Sequence, residues 1–495
     1  MIVEIFVAIL TPPLLYVLST YLYHLWELRK YPAGPFPLPI IGNLHQLGKK
    51  PYESLAELSK IYGDVFGISF GMTRAVIVNT IESTREALIT KGEQFAGKPQ
   101  TIYTLEFLSR GYLSIAFANY GPVWSTLRRF SHTSFKMYGD NVDQLMNLTI
   151  KENDDLHNRL NTLKGKPIDV KNDLGLSILN IVCGAVFGRR YARDDSEFKD
   201  IVNYVLLVDK GLASSFIFLS FPWLRYFPNP AFNKIKRGVE IRDPLLKSKL
   251  AQHRSSFDGE SVRDLTDALI KVTSAEERSS FTEDYLEIIM HDVFATWYAA
   301  VLTTMEWLIL YMLHWPQYQG EMYQEIIQHV GTDRYPDLND CPSLPMIQAC
   351  IHETWRFSSL HPLGLPHTST QQSSIGGKDI PKDTVIVFNV WKINQDRNHW
   401  KNPEKFDPTR WLDEEGKFNA GQHTSFITFS AGRRKCLGES FAKNQLFVFC
   451  SRLFRNFKLE NVPDVPLPSL EGELNVTLTP VPYKVMFTPR ENNLI

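Results

Sequence analysis

The run Phe429-Ser-Ala-Gly432-Arg-Arg434-Lys-Cys436-Leu-Gly438 constrains this chain more than any other ten residues in it. One phenylalanine, two glycines, a pair of arginines and a single cysteine at these offsets read as a tight loop that presents one thiolate. Glycines at 432 and 438 let backbone turn and approach its neighbours where a Cβ would clash. Most lone cysteines are buried and inert, but here Phe429 can shield the sulfur and Arg434 can pair with an acidic group. A thiolate so framed is a strong, electron-donating ligand for haem iron.

The rest of the composition fits a large body built to hold such a loop. The chain has 495 residues, 44% of them hydrophobic and 12% aromatic, which excludes disorder. A net charge of −1 gives no sign of nucleic-acid binding. The five cysteines (Cys183, Cys341, Cys350, Cys436, Cys450) are odd in number and unpatterned, which suits a reducing compartment. No Cys-x-x-Cys-His run occurs, so a haem would be held by ligation and packing.

Residues 1–28 read as an amino-terminal membrane anchor. Ile5 to Tyr23 carries no charged side chain, close to the ~20 residues that span a bilayer. Arg29 and Lys30 follow while Glu4 precedes, which places the body on the cytosolic side. Residues 29–45, with prolines at 32, 35, 37 and 39, form a stiff extended linker. Residues 46–495 are then one large domain. Val65 to Asn79 alternates about Gly71-Met-Thr73 as a hairpin, and Lys378 to Val387 is a turn feeding a strand. Most of Met146 to Val330 has amphipathic helical spacing. The predicted fold is mainly α with a small β portion. Leu212 to Phe232, with Phe218, Phe221, Trp223 and Phe227, reads either as core helix or as a second membrane contact beside a substrate entrance.

Further motifs stand in a fixed order along the chain. They are Trp124-x-x-x-Arg128, Glu353-Thr-Trp-Arg356 and Pro403-Glu-Lys-Phe406-Asp-Pro408-Thr-Arg410-Trp411, ahead of the cysteine run. Together they resemble the cytochrome P450 family of haem-thiolate monooxygenases over essentially the whole chain. Phe117 to Trp124 and Phe187-Gly-Arg-Arg-Tyr191 look most like animal microsomal members, of the kind acting on steroids, lipids and foreign compounds. The resemblance implies haem b ligated by Cys436 and shielded by Phe429. It implies propionate partners in Trp124, Arg128, His367 and Arg434, with Lys98 where relatives often carry Arg. It also implies that Glu353, Arg356 and Arg410 lock together to support the cysteine loop.

The resemblance breaks at one place. The long helix over the distal haem face carries an acid–alcohol pair in this family. An ungapped register through Thr303-Thr-Met-Glu-Trp puts Ala299 and Ala300 at those positions, with Trp297 in place of a glycine. A shifted register recovers Thr303 but still no acid. Oxygen activation consumes protons, and alanines supply none. Thr296, Ala299, Ala300 and Thr303 share one helix face, where water or a substrate hydroxyl can substitute.

The expected function is a membrane-bound monooxygenase that inserts one atom of O2 into a hydrophobic substrate. No Gly-x-Gly-x-x-Gly frame is present, so NADPH and FAD/FMN would act through a partner NADPH–cytochrome P450 reductase, with cytochrome b5 as a second donor. Arg129, Arg433, Lys435 and Lys443 offer a basic docking face. Localisation would be the endoplasmic reticulum membrane, single-pass and cytosol-facing. The alternative left open by Ala299 and Ala300 is a haem-thiolate isomerase, dehydratase or rearrangement enzyme that needs neither O2 nor NADPH.

Overall fold

Apolar residues fill nearly every face of Glu283–His314, a 32-residue helix about 48 Å long, and such a helix belongs in a core. The computed structural model describes residues 2–139, 142–213, 215–274 and 281–490, with side chains outside 2–10, 139, 142, 143, 215 and 216. Helices Val170–Phe187 and Pro230–Ser256 pack along one side of this central helix, and Pro345–Ser358 and Glu439–Asn456 along another. Val170–Phe187 and Glu283–His314 are each long and apolar enough to cross a membrane. With 78% and 72% of those stretches buried inside the fold, they serve as core instead.

The small β portion bears out the predicted hairpin. Val65–Phe70 pairs antiparallel with Thr73–Val78, in the register Val65↔Val78. Thr73–Val78 then runs parallel to Val385–Phe388, which pairs with His367–Thr368. This sheet therefore carries His367 to the edge of the site. Ile168–Asp169, Lys484–Pro489 and Phe457–Glu460 form a second sheet. The result is mainly α with a small β part, as predicted.

The amino-terminal segment is helical over Ile2–Leu28, with Pro12 and Pro13 inside. Its foot does not swing free, because His24 Nε2 lies 2.9 Å from Ser69 Oγ on the first strand. The proline-rich stretch lies along the same strand: Gly67 N donates to Pro32 O at 3.2 Å, and Gly42 bridges Phe70. A Cβ on Gly34 would fall 1.8 Å from Gly67 O, so the close approach requires glycine there. Leu212 to Phe232 divides between its two readings. Phe218 and Leu219 are buried, whereas Trp223, Tyr226 and Phe227 are exposed.

Candidate active site

Beneath the site, a closed ionic cage has grown from the Glu353-x-x-Arg356 helix. Arg356 grips Glu353 with two parallel bonds, Nε to Oε2 at 2.9 Å and Nη2 to Oε1 at 2.7 Å. Arg410 Nε reaches Oε1 at 3.1 Å, Asp407 N reaches it at 2.9 Å, and Trp411 Nε1 donates to Oε2 at 3.0 Å. The remaining donors of Arg356 go to the carbonyls of Asn394, Pro403 and Lys405. Glu353 and Arg356 are wholly buried. The sequence reading anticipated the three charged residues. It missed Trp411 as a donor, although that residue adjoins Arg410 in the same motif. It also missed His423, whose Nε2 lies 2.6 Å from Arg410 O and whose ring stacks on Trp400; no local signal marks it.

The cysteine loop rests on this cage. Phe429 meets Trp355 edge-on at 4.9 Å, and Cys436 N donates to Phe429 O at 2.9 Å, closing the turn. Gly432 has φ +62°, and a Cβ there would lie 1.8 Å from Leu88 O, so glycine is obligatory. At Gly438 the expectation needs correction. Its φ is −86°, and nothing of the protein lies within 4 Å of an added Cβ. Neither strain nor crowding by the chain demands glycine at 438. Cys436 has exposed surface, yet burial is the leading influence on its thiol, pushing it up. Both hold when the sulfur opens into a recess walled by protein.

Among the described residues, the cations beside that recess are met by carbonyls and not by carboxylates. Arg434 donates to the carbonyls of Ala96 and Ala118, each at 2.8 Å, and of Ile115 at 3.2 Å. It lies 4.0 Å over the Trp124 ring. Burial and the neighbouring Arg128 bring its guanidinium down to about 9. Arg128 donates to Lys435 O. Lys98 Nζ reaches only the carbonyls of Leu365 and Pro366, and burial with Arg434 nearby drives it well below the usual lysine range. His367 is bonded through Nδ1 to Phe95 O at 2.7 Å and held neutral by burial beside Lys98. Trp124 spends its indole N–H on Ile115 O, so its ring serves as the platform for Arg434. Among the described residues, no carboxylate pairs with Lys98, Arg128 or Arg434. This donor set fits a dianionic guest such as haem b, whose two propionates would supply the counter-charge.

The central helix has one short stripe that is less buried than the rest. Thr296 is exposed and Ala299 and Ala300 are half-buried, in a helix otherwise buried on both sides. Trp297 turns away from that stripe, donating to Gln445 Oε1 at 2.6 Å and resting on Phe441. It thereby ties the helix to Glu439–Asn456, which begins just after Cys436. Thr303 is buried, 3.4 Å from Thr477 Oγ1. Asp292, which the sequence reading passed over, accepts from Ser114 Oγ at 2.8 Å and Ile115 N at 2.7 Å. It braces the turn whose carbonyls hold Arg434. Haem b in this family is ligated by a cysteine thiolate and supplies the oxygen-activating chemistry. The chain's own residues bind, orient and shelter it.

The family model for cytochrome P450 matches residues 32–487, and the chain belongs to the cytochrome P450 family. It is 36% identical to a steroid 17-alpha-hydroxylase/17,20 lyase from Gallus gallus over 94% of this chain and 92% of that one. It is 33% identical to a cytochrome P450 1A1 from Opsanus tau over 99% and 97%. A zebra fish cytochrome P450 solved with progesterone superposes with a TM-score of 0.81 at 33% identity, covering 89% of this chain and 99% of its own. The protein is a haem-thiolate monooxygenase that draws electrons from a redox partner and acts on hydrophobic molecules. These relatives do not favour the isomerase or dehydratase alternative.

Proposed function

We propose that the chain hydroxylates a steroid or similarly flat, apolar lipid at the endoplasmic reticulum membrane, with Cys436 as the thiolate ligand of haem b. Lys98, Arg128, Arg434 and His367 would hold the propionates, Trp124 backs Arg434, and Phe429 would shield the sulfur. The single observation that carries the haem assignment is that buried Lys98 and half-buried Arg128 and Arg434, near Cys436, meet no carboxylate among the described residues. A steroid-like substrate is suggested by the hydroxylase relatives and by the apolar stretches 101–115, 206–221 and 474–477, which flank the central helix in this reading. Electrons come from NADPH–cytochrome P450 reductase, with cytochrome b5 as an auxiliary donor. Arg433 and Lys435, exposed in the cysteine loop but paired with Glu93 and Glu439, would have to exchange those carboxylates for an acidic partner's on docking.

Membrane attachment is supported by an apolar side of the molecule. Leu15, Leu18 and Leu22 are exposed on the first helix, Ile41 and Met72 beside the first hairpin, and Trp223 beyond it. Gly71 N donates to Ile41 O at 3.3 Å, and Gly71 also abuts Ser220, so these pieces adjoin. Such a patch suits lipid better than water.

The test is turnover of progesterone by the full chain in reductase-containing vesicles. A hydroxylated product that requires both O2 and NADPH, and a thiolate-type spectrum of the carbon monoxide adduct lost in Cys436→Ser, are expected. Product formed without O2 would overturn the reading.

A further inference from the structure

We propose that Thr296 provides the hydroxyl that Ala300 cannot, with Asp292 one turn behind it as the acid on the same helix face. This rests on the reading of Cys436 as the haem ligand beneath that face. Three hydroxyls compete for the role, and the structure separates them. Thr304 donates to Ala300 O at 2.7 Å and accepts from Trp355 Nε1 at 3.0 Å, so its hydrogen and one of its two lone pairs are engaged, and it is buried. Thr303 is buried and engaged with Thr477. Thr296 is exposed, one turn before the half-buried Ala299 and Ala300, on the stripe that in the reading above faces the haem. Its hydrogen goes back to Asp292 O at 2.6 Å, which turns its lone pairs outward. A hydroxyl oxygen so oriented can accept a bond from a water or a protonated oxygen and hold it over the recess.

Asp292 stands four residues earlier, in register with Thr296, Ala299 and Thr303 on one face. Its carboxylate accepts from Ser114 and Ile115 in the loop. Among the described residues, Arg242 from Pro230–Ser256, itself paired with Asp243, and Tyr204 from Ser196–Leu212 act on its charge, and His291 adjoins it in sequence. Burial raises the carboxyl to about 6, so it exchanges a proton near neutrality, as a general acid must. In the step proposed, Asp292 gives one proton to a water held at Thr296, that water passes one of its own protons to the reacting oxygen it touches, and a hydronium from solvent recharges Asp292. No electrons move. The alcohol is thus retained about one turn, and the acid about two turns, before the positions where the two alanines stand, and no hydroxyl of the substrate is needed.

The infrared C–O stretch of the ferrous carbon monoxide adduct reads this directly, because it responds to polar groups facing the bound probe. In the full chain the stretch is expected to shift in Thr296→Val, to stay in place in Thr296→Ser, and to titrate between pH 5 and 7 in a manner lost in Asp292→Asn. In turnover of progesterone, product per NADPH falls on the order of a hundredfold in Thr296→Val, the low end for a placed proton donor, with hydrogen peroxide released instead. An unshifted stretch in Thr296→Val, or an unchanged titration in Asp292→Asn, overturns the proposal. Haem content and the thiolate-type absorption of each variant confirm folding, with Thr296→Ala as the replacement should Val fail to fold. Lack of that absorption in the unaltered protein would refute the Cys436 reading itself, a separate result.

Discussion

Two charge clusters adjoin the cysteine loop, one through Trp355 and Phe429 and one through Arg434 within it, and they are built on opposite principles. Around Glu353 each carboxylate oxygen meets several donors, and the positive charges of Arg356 and Arg410 face a buried negative one. Around Arg434, by contrast, Lys98 and Arg128 add charge of the same sign, and only carbonyls answer them. The first cluster is complete without a guest and is a scaffold. The second is left electrostatically open and is a receptor for an anion. Burial alone does not distinguish structure from function here; the balance of charge does.

The contrast breaks most visibly at Glu353. Glu353→Gln leaves two arginines without counter-charge in a dry site, a change that costs ~3–5 kcal/mol. Urea unfolding should show this loss with and without haem. An unchanged midpoint would mean that the cage is ornamental.

Glu306 sharpens the comparison as a carboxylate lacking what Glu353 has. It is buried on the central helix, its Oε2 finds no hydrogen-bond partner, and burial raises it from 4.5 to about 7. Because the folded form keeps a proton that the unfolded chain releases, stability falls as pH rises from about 4.5 to 7. The size of that fall is about 3 kcal/mol, from 1.36 kcal/mol per pH unit. Glu306→Gln should therefore flatten the pH–stability curve over that window, gaining at pH 7.5 and nothing at pH 4. Parallel curves for both proteins would show that the carboxyl titrates normally.

The smallest effect changes sign with the guest. Lys98→Met removes a buried cation that only carbonyls serve, so the haem-free protein should gain about 1 kcal/mol, the low end for replacing buried charge with apolar atoms. In the haem-bound protein the same change should speed haem transfer to an acceptor globin by about tenfold, equivalent to 1.4 kcal/mol. Stabilisation in both states would remove Lys98 from the propionate site.

Much of the site could be read along the chain because its motifs are local. The cysteine loop, the Glu353–Arg356 pair at helical spacing and Arg410 in its aromatic loop each announce themselves within ten residues. Partners that are backbone carbonyls were invisible, since every residue has one: Ala96, Ile115 and Ala118 fix Arg434 without any side-chain signature. Asp292 and His423 carry no local signature either, because their partners Ile115 N and Arg410 O lie 177 and 13 residues away. The glycine at 438 carried a backbone rationale that the φ angle and open surroundings withdraw.

What the amino-acid order determined by itself was the chemistry on offer: one framed thiolate, a set of cations, a mainly helical body and two alanines where a proton relay belongs. Tertiary structure decided the allocation of those parts. Only packing could spend Thr304 on Trp355 and Thr303 on Thr477 while leaving Thr296 open. Only packing could saturate one charge cluster and leave the other without an acid. The reason is physical: hydrogen-bond capacity and desolvation are settled by which atoms meet across the fold, and residue spacing records only those meetings that occur within one turn or loop.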